Sequence, residues 1–303
     1  MRFVWVMVVA LLSACQSLPP LPEWQSPQGR EHAELGVILD LRSGERLSPE
    51  QLVGQLAGAD RVLVGERHDN PDHHALQLWL MQALAMQRMQ GSVLLEMLVP
   101  AQQAKVDAVR EMHRQGRRPS DLPAALEWEK GWPWGLYGDL VRYVLQQPYP
   151  VLAANLDRAE VMSIYTGVVP PLSGARSTAM PVREALLAQV RRSHCDLLPE
   201  AQLPAMLAVQ QQRDRRMADR LLAAPQPALL LAGSFHVRRD LGVPLHLEDL
   251  GAQGATRVLV MAEVGERVTA QQADYVWYTP AQPEQDHCAQ LRQTRVKSRL
   301  EAS

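Results

Sequence analysis

The densest group of side chains capable of chemistry is the run Gly65-Glu66-Arg67-His68-Asp69-Asn70-Pro71-Asp72-His73-His74. It directly follows RVLV, an apolar run that reads as a buried strand. Imidazole and carboxylate together are ligands for zinc, iron or manganese. They are also the common general acids and bases. Other apolar runs end in similar chemistry: SVLLE in Glu96, VLAAN in Asn155, ALLLAGSFH in Gly233-Ser234-Phe235-His236 and VLVMAE in Glu263. Ligands of open α/β sheets bind beyond the carboxyl ends of strands. Glu66, His68, Glu96 and His236 are therefore expected to converge on one sheet edge, as a cleft, a divalent-metal site or an acid–base site. The blander reading makes Asp69 or Asn70 the cap of a helix with Pro71 in its first turn. It puts one of His73 and His74 on the solvated surface. HExxH spacing, a GxSxG elbow and a GxxxxGK[ST] loop are all absent, so helix-borne zinc protease, serine hydrolase and P-loop chemistry have no support.

A second feature is aromatic. Trp128, Trp132, Trp134 and Tyr137 fall within ten residues of a chain that is 5% aromatic. They form either a core or interface patch, or a flat apolar wall for a planar ligand such as a porphyrin. Tyr137, and Tyr165 in VMSIYTGVV, are candidate phenolate ligands for ferric iron, since tyrosine is a known axial haem ligand. CxxCH is missing, which excludes covalent c-type haem.

The elements that must position these residues alternate along the chain. Strands are predicted at 37–39, 61–65, 92–96, 150–154, 228–232, 257–263 and 275–278, with helices over 71–89, 100–115 and up to 147. The pattern predicts an α/β fold with a mainly parallel central sheet flanked by helices. A helical insertion or lid around 156–222 interrupts the alternation.

The first residues read as an export signal. Arg2 precedes the apolar run Phe3 to Leu12, too short for the ~20 residues of a bilayer span but suited to a signal h-region. Leu12-Ser13-Ala14-Cys15 resembles the bacterial lipobox. Residues 1–14 are thus read as a cleaved lipoprotein signal peptide, with Cys15 carrying the lipid, palmitate included. Gln16 follows where aspartate would argue for inner-membrane retention, which points to the outer membrane, facing the periplasm. Residues 15–29 read as a tether, 30–294 as one domain and 295–303 as a C-terminal tail. A formal net charge of −2 argues against a nucleic-acid partner. Cys195 and Cys288 remain, either as a disulfide in an oxidising compartment or as two free thiols. CxxC spacing is absent.

The lipobox, VLVGERHDNPDHH, SVLLEM, WPWGLYGDL, VLAANL, HCDLLP followed by QQQRDRRMA, and LLLAGSFHVRRDLGVPLHL occur together and in order. In this the chain resembles the ChaN family of iron-regulated haem-binding lipoproteins, from about Gly36 to Tyr278. The resemblance implies haem at a dimer interface, a tyrosine ligand (Tyr165 or Tyr137), and basic or imidazole contacts, with His68, His74 and His236 as candidates. It also implies a role in haem and iron acquisition, with an outer-membrane haem receptor as a further partner. The wider group, similar to Tiki, TraB and erythromycin-esterase-like proteins, implies an alternative: a metal-dependent hydrolase using Glu66, His68, Glu96 and His236. Haem binding stands first, an enzyme second, and a periplasmic scaffold third.

Overall fold

A computed structural model describes residues 18–289 and 292. The predicted signal peptide, Cys15 and the predicted tail at 295–303 lie outside the described residues.

The runs read as strands are apolar throughout because both their faces are covered. β3 (Arg61–Glu66), β4 (Ser92–Leu95) and β6 (Ala228–Gly233) are buried at every position. They share one sheet with β1 (Ile38–Asp40), β2 (Arg46–Leu47), β5 (Val151–Ala153), β7 (Thr256–Glu263) and β8 (Tyr275–Thr279), in the order β2-β1-β8-β7-β3-β6-β4-β5. The pairs from β8 through β5 are parallel; β1 and β2 add an antiparallel edge. Successive residues of each strand feed opposite cores. Val62, Val64, Leu229 and Leu231 pack on one face, Leu63, Leu230 and Ala232 on the other. The first face is covered by α1 (Pro49–Ala57), α2 (Pro71–Ala85), α3 (Gln103–Arg114) and α5 (Trp134–Leu145); α4 is the single turn Leu122–Ala125. The second core includes Met217, Ala218 and Leu221 of α8 (Leu203–Ala223), Val237 of the single turn α9 (Ser234–Val237), and Val243 and Leu247 of α10 (Val243–Asp249).

The stretch between β5 and β6 is helical, as expected: α6 (Arg158–Tyr165), α7 (Met180–Ser193) and α8. Ile164 of α6 meets Val209 of α8, and Leu186 of α7 meets Leu207. A disulfide joins Cys195, just after α7, to Cys288.

Two expectations need correction. Asn70 does cap α2, accepting from the Asp72 amide, with Pro71 in the first turn. Yet His73 and His74 are both buried, because α2 lies between the sheet and a second cover. That cover is the segment read as a tether. Asp72 accepts from the amides of Gln25 (2.6 Å) and Ser26 (2.9 Å), and the Trp79 indole donates to Pro19 O (2.8 Å). Residues 18–26 are therefore held against the domain rather than free to span a distance. Serine and proline suggested a tether, but the buried acceptor that captures the segment sits in α2.

Candidate functional site

Glu66, Gly233 and Glu96 close β3, β6 and β4, three adjacent strands, so the expected convergence occurs at their carboxyl ends. Glu66 is buried. Its Oε1 accepts from His68 Nδ1 (2.6 Å) and from the Tyr137 hydroxyl (3.1 Å). Its Oε2 lies 3.7 Å from His74 Nε2. His74 donates to the His68 carbonyl (3.1 Å), locking the loop that carries His68. His73 supports the same turn. Its Nδ1 accepts from the Arg67 amide (2.8 Å), so its proton is on Nε2, which faces Thr279 Oγ1 (2.9 Å). Burial, with His74 and Arg67 nearby, holds the His73 pKa well below the ordinary histidine value, so the ring is neutral.

The second group is ionic. Glu96 accepts from the Gly233 amide at 2.7 Å. His236 bridges Glu96 Oε1 (3.3 Å from Nε2) and Asp214 Oδ1 (2.5 Å from Nδ1). Burial disfavours charge on His236, but the two carboxylates outweigh it and raise its pKa to about 10. Burial likewise pushes Glu96 up, and the His236 charge overcomes it, leaving Glu96 at about 2. This is a buried imidazolium held between carboxylates. Burial raises the pKa of Asp214, whose Oδ2 has no hydrogen-bond partner among the described residues.

His68 differs from the other imidazoles. Its side chain is 49% exposed. Burial lowers its pKa, the Glu66 hydrogen bond and charge raise it, and the balance is upward. Among the described residues its Nε2 has no hydrogen-bond partner, so it is the one ring nitrogen in the cleft free to exchange a proton with a ligand. Trp132 stands edge-on to it at 4.9 Å, and Trp132 and Tyr137 pack at 5.6 Å. The aromatic segment thus walls the cleft while packing on the core.

Several assigned roles change. Glu66, His68, Glu96 and His236 are brought together as two carboxylate–imidazole pairs, Glu66 with His68 and Glu96 with His236. Among the described residues no three His, Cys, Asp or Glu side chains group as metal ligands. His74 and His236 are buried with both nitrogens engaged and offer nothing to a haem. Tyr137 is fully buried. Burial first, then the Glu66 charge, pushes its phenol far above the ordinary tyrosine value, so it remains a donor. Asn155 and Glu263 are structural: Asn155 donates to the Glu96 carbonyl (3.0 Å), and Glu263 receives Arg67 (2.8 Å) and Asn70 (2.9 Å).

Tyr165 lies apart, as the last residue of α6. It is half-buried, and its hydroxyl has no partner among the described residues. The eight large hydrophobic side chains exposed among those residues include Met162, Val168 and Val169, within four residues of it along the chain, and Met180 at the start of α7. α8 links this face to the cleft, since Val209 packs on Ile164 and the adjacent Gln210 reaches His236 Nδ1 at 3.2 Å.

Sequence reasoning assigned no role to Asp214. A signal existed: Leu207, Gln211, Asp214, Ala218 and Leu221 follow helical three-and-four spacing and form one buried stripe of α8. An acid on such a stripe needs a partner.

Residues 52–247 match the family model described as haem-binding uptake, Tiki superfamily, ChaN. Among solved structures, the ChaN of Campylobacter jejuni with cofacially bound haem is 34% identical, with a TM-score of 0.73, over 80% of this chain and 95% of that one. An erythromycin esterase, EreC, in its open conformation overlaps at 11% identity and a TM-score of 0.41, over 79% and 81% of the two chains. A Bacillus cereus protein overlaps at 10% and 0.41, over 70% and 68%. Comparison with curated proteins gives no match. With the family model matching residues 52–247, more than half of the chain, and a haem-binding ChaN 34% identical over 80% of it, the chain belongs to the haem-binding ChaN family of the Tiki superfamily.

Proposed function

We propose that the chain binds haem through Tyr165, on the apolar face of α6 and the segment after it. In this reading it acts in haem and iron acquisition as a lipoprotein anchored through Cys15 to the outer membrane, facing the periplasm. The observation that carries the haem reading is that exposed apolar face, with its unpartnered phenol, in a chain 34% identical to a protein that binds haem cofacially. An exposed apolar patch on a protein surface marks a binding site. A phenolate ligand must shed its proton, which the burial of Tyr137 beside Glu66 opposes; Tyr165, half-buried with its hydroxyl unpartnered among the described residues, is the tyrosine this reading uses. Haem bound there would supply a ferric iron for the Tyr165 hydroxyl oxygen to ligate. Two copies facing one another across this surface form the dimer, and an outer-membrane haem receptor is the natural upstream partner. Hemin titration of the mature chain lacking the lipid site tests the reading. A saturable Soret band, shifted or lost in Tyr165→Phe, with a mass increase in sedimentation, is the expected result. No saturable change at micromolar hemin would sink it.

A second reading, metal-free acid–base catalysis, rests on His68, whose free Nε2 faces the cleft while buried Glu66 holds Nδ1. It predicts hydrolysis of an activated ester that survives chelators and is lost in His68→Ala. Turnover unchanged in that variant would dismiss it.

A further inference from the structure

The exposed apolar side chains divide into two groups. Met162, Val168, Val169, Met180 and Phe235 lie on or near the surfaces described above. Leu21, Met86 and Met89 do not, and Met89 is 92% exposed. Helices that connect parallel strands run back along the sheet. α2 therefore begins at the cleft edge, at Pro71, and ends at the opposite edge, where Met86 closes it and Met89 precedes the start of β4.

The same edge is basic. α3 runs in the same direction and ends in Arg110, His113 and Arg114, followed by Arg117 and Arg118. Arg114, Arg117 and Arg118 are exposed. The nearby acids are Asp107, whose charge acts on Arg110, Glu111, 2.7 Å from Arg114, and Asp121, which caps α4. Arg117 bonds the Gln115 amide rather than a carboxylate. Cavities of about 400 and 250 Å³ open between these side chains and the end of α5. Burial and the neighbouring Arg118 lower the His113 pKa, and burial and Arg114 lower that of Arg110, as expected where positive charge is in excess.

The N-terminal segment leads to this edge. Pro20, Pro22 and Gln25 lie along the groove between α2 and α5. Followed backwards, the chain leaves Asp72 at the cleft end of α2 and reaches Trp79, seven residues and about 10 Å further along the helix. Leu18 is packed on the core, and Cys15 lies three residues before it, within about 10 Å of chain.

We propose that the sheet edge opposite the cleft, with Met86, Met89 and the Arg110–Arg118 cluster, rests on the phosphate headgroups of an anionic bilayer, so that the cleft opens away from the membrane. This rests on the reading of Cys15 as the lipid site. A basic patch beside an acyl anchor supplies the second signal that stable attachment needs.

The test has two arms. The mature chain from Gln16, which keeps every described residue and carries no lipid, is sedimented with vesicles of phosphatidylethanolamine and phosphatidylglycerol, or of phosphatidylcholine alone. Binding to the anionic vesicles, released by salt and weakened on the order of a hundredfold in Arg114→Gln/Arg117→Gln/Arg118→Gln, is expected. Equal binding to both vesicles, or an unchanged triple variant with an unchanged melting curve, overturns the proposal. In the second arm, the lipidated chain is reconstituted with brominated lipid. A fluorophore at Met89→Cys should be quenched and one at Phe235→Cys should not; equal or reversed quenching overturns the orientation. Mass analysis of the mature N-terminus reports separately whether Cys15 carries lipid, and the first arm does not depend on it.

Discussion

Tyr137 reaches 3.1 Å across from α5 to donate its phenol proton to Glu66 at the end of β3. The bond ties the aromatic segment to the cleft and makes Tyr137 a structural donor. Tyr137→Phe removes a hydrogen bond to a buried carboxylate, worth about 1.5–3 kcal/mol. Urea unfolding should show a loss of that size, while the Soret band of the hemin complex keeps its position. A shifted band would mean that Tyr137, not Tyr165, ligates the iron.

The buried pair of Glu96 and His236 predicts a two-sided pH dependence. The folded His236 pKa is raised from 6.5 to about 10, so its contribution is fully present below pH 6.5 and is lost as pH rises through about 10. The folded Glu96 pKa is lowered from 4.5 to about 2, so its contribution is present above pH 4.5 and is lost as pH falls towards 2. Stability from this group is therefore greatest between the two unfolded values. Urea midpoints measured across the range should fall on both sides, and Glu96→Gln should flatten the acid limb. His236→Ala, which strands two carboxylates in the interior, should cost about 3–5 kcal/mol.

Gly233 is required by close approach. A Cβ there would lie 2.8 Å from His68 Cε1 and 3.0 Å from Nε2, inside normal contact. Gly233→Ala should push the His68 ring off Glu66, at a cost of about 1–3 kcal/mol. Once the carboxylate no longer holds the proton, the His68 pKa should fall. An NMR titration of the imidazole follows this directly; an unmoved titration would show that the ring is not held as described.

The Cys195–Cys288 disulfide closes a loop of 93 residues and ties the segment after β8 to the helices between β5 and β6. Constraint of a long unfolded loop stabilises by about 2–4 kcal/mol. Cys195→Ser/Cys288→Ser and the reduced parent should melt at the same lower temperature. Identical melting of oxidised and reduced parent would argue against this coupling.

The sequence alone determined the α/β class, nearly every strand, and the carboxyl-end placement of Glu66, Glu96 and His236. It could do so because parallel strands covered on both faces are continuous apolar runs, and the residues ending such runs stand at the ligand-binding edge by construction. Residues 1–17, which hold the run that resembles a lipobox, lie outside the described residues. Only the tertiary structure decided which polar groups found partners. His73 and His74 are buried because residues 18–26 cover α2, an arrangement set by Asp72 accepting amides 46 and 47 residues away. Asp214 became the counter-charge of His236 only when α8 crossed the end of β6. The two tyrosines are indistinguishable as residue types. One is locked beneath the cleft by a carboxylate 71 residues distant, and the other ends a helix with its hydroxyl unpartnered. Periodicity reports which face of an element is apolar. Protonation states and free valences depend on pairings between elements, which exist only once the sheet order and helix crossings bring the partners together.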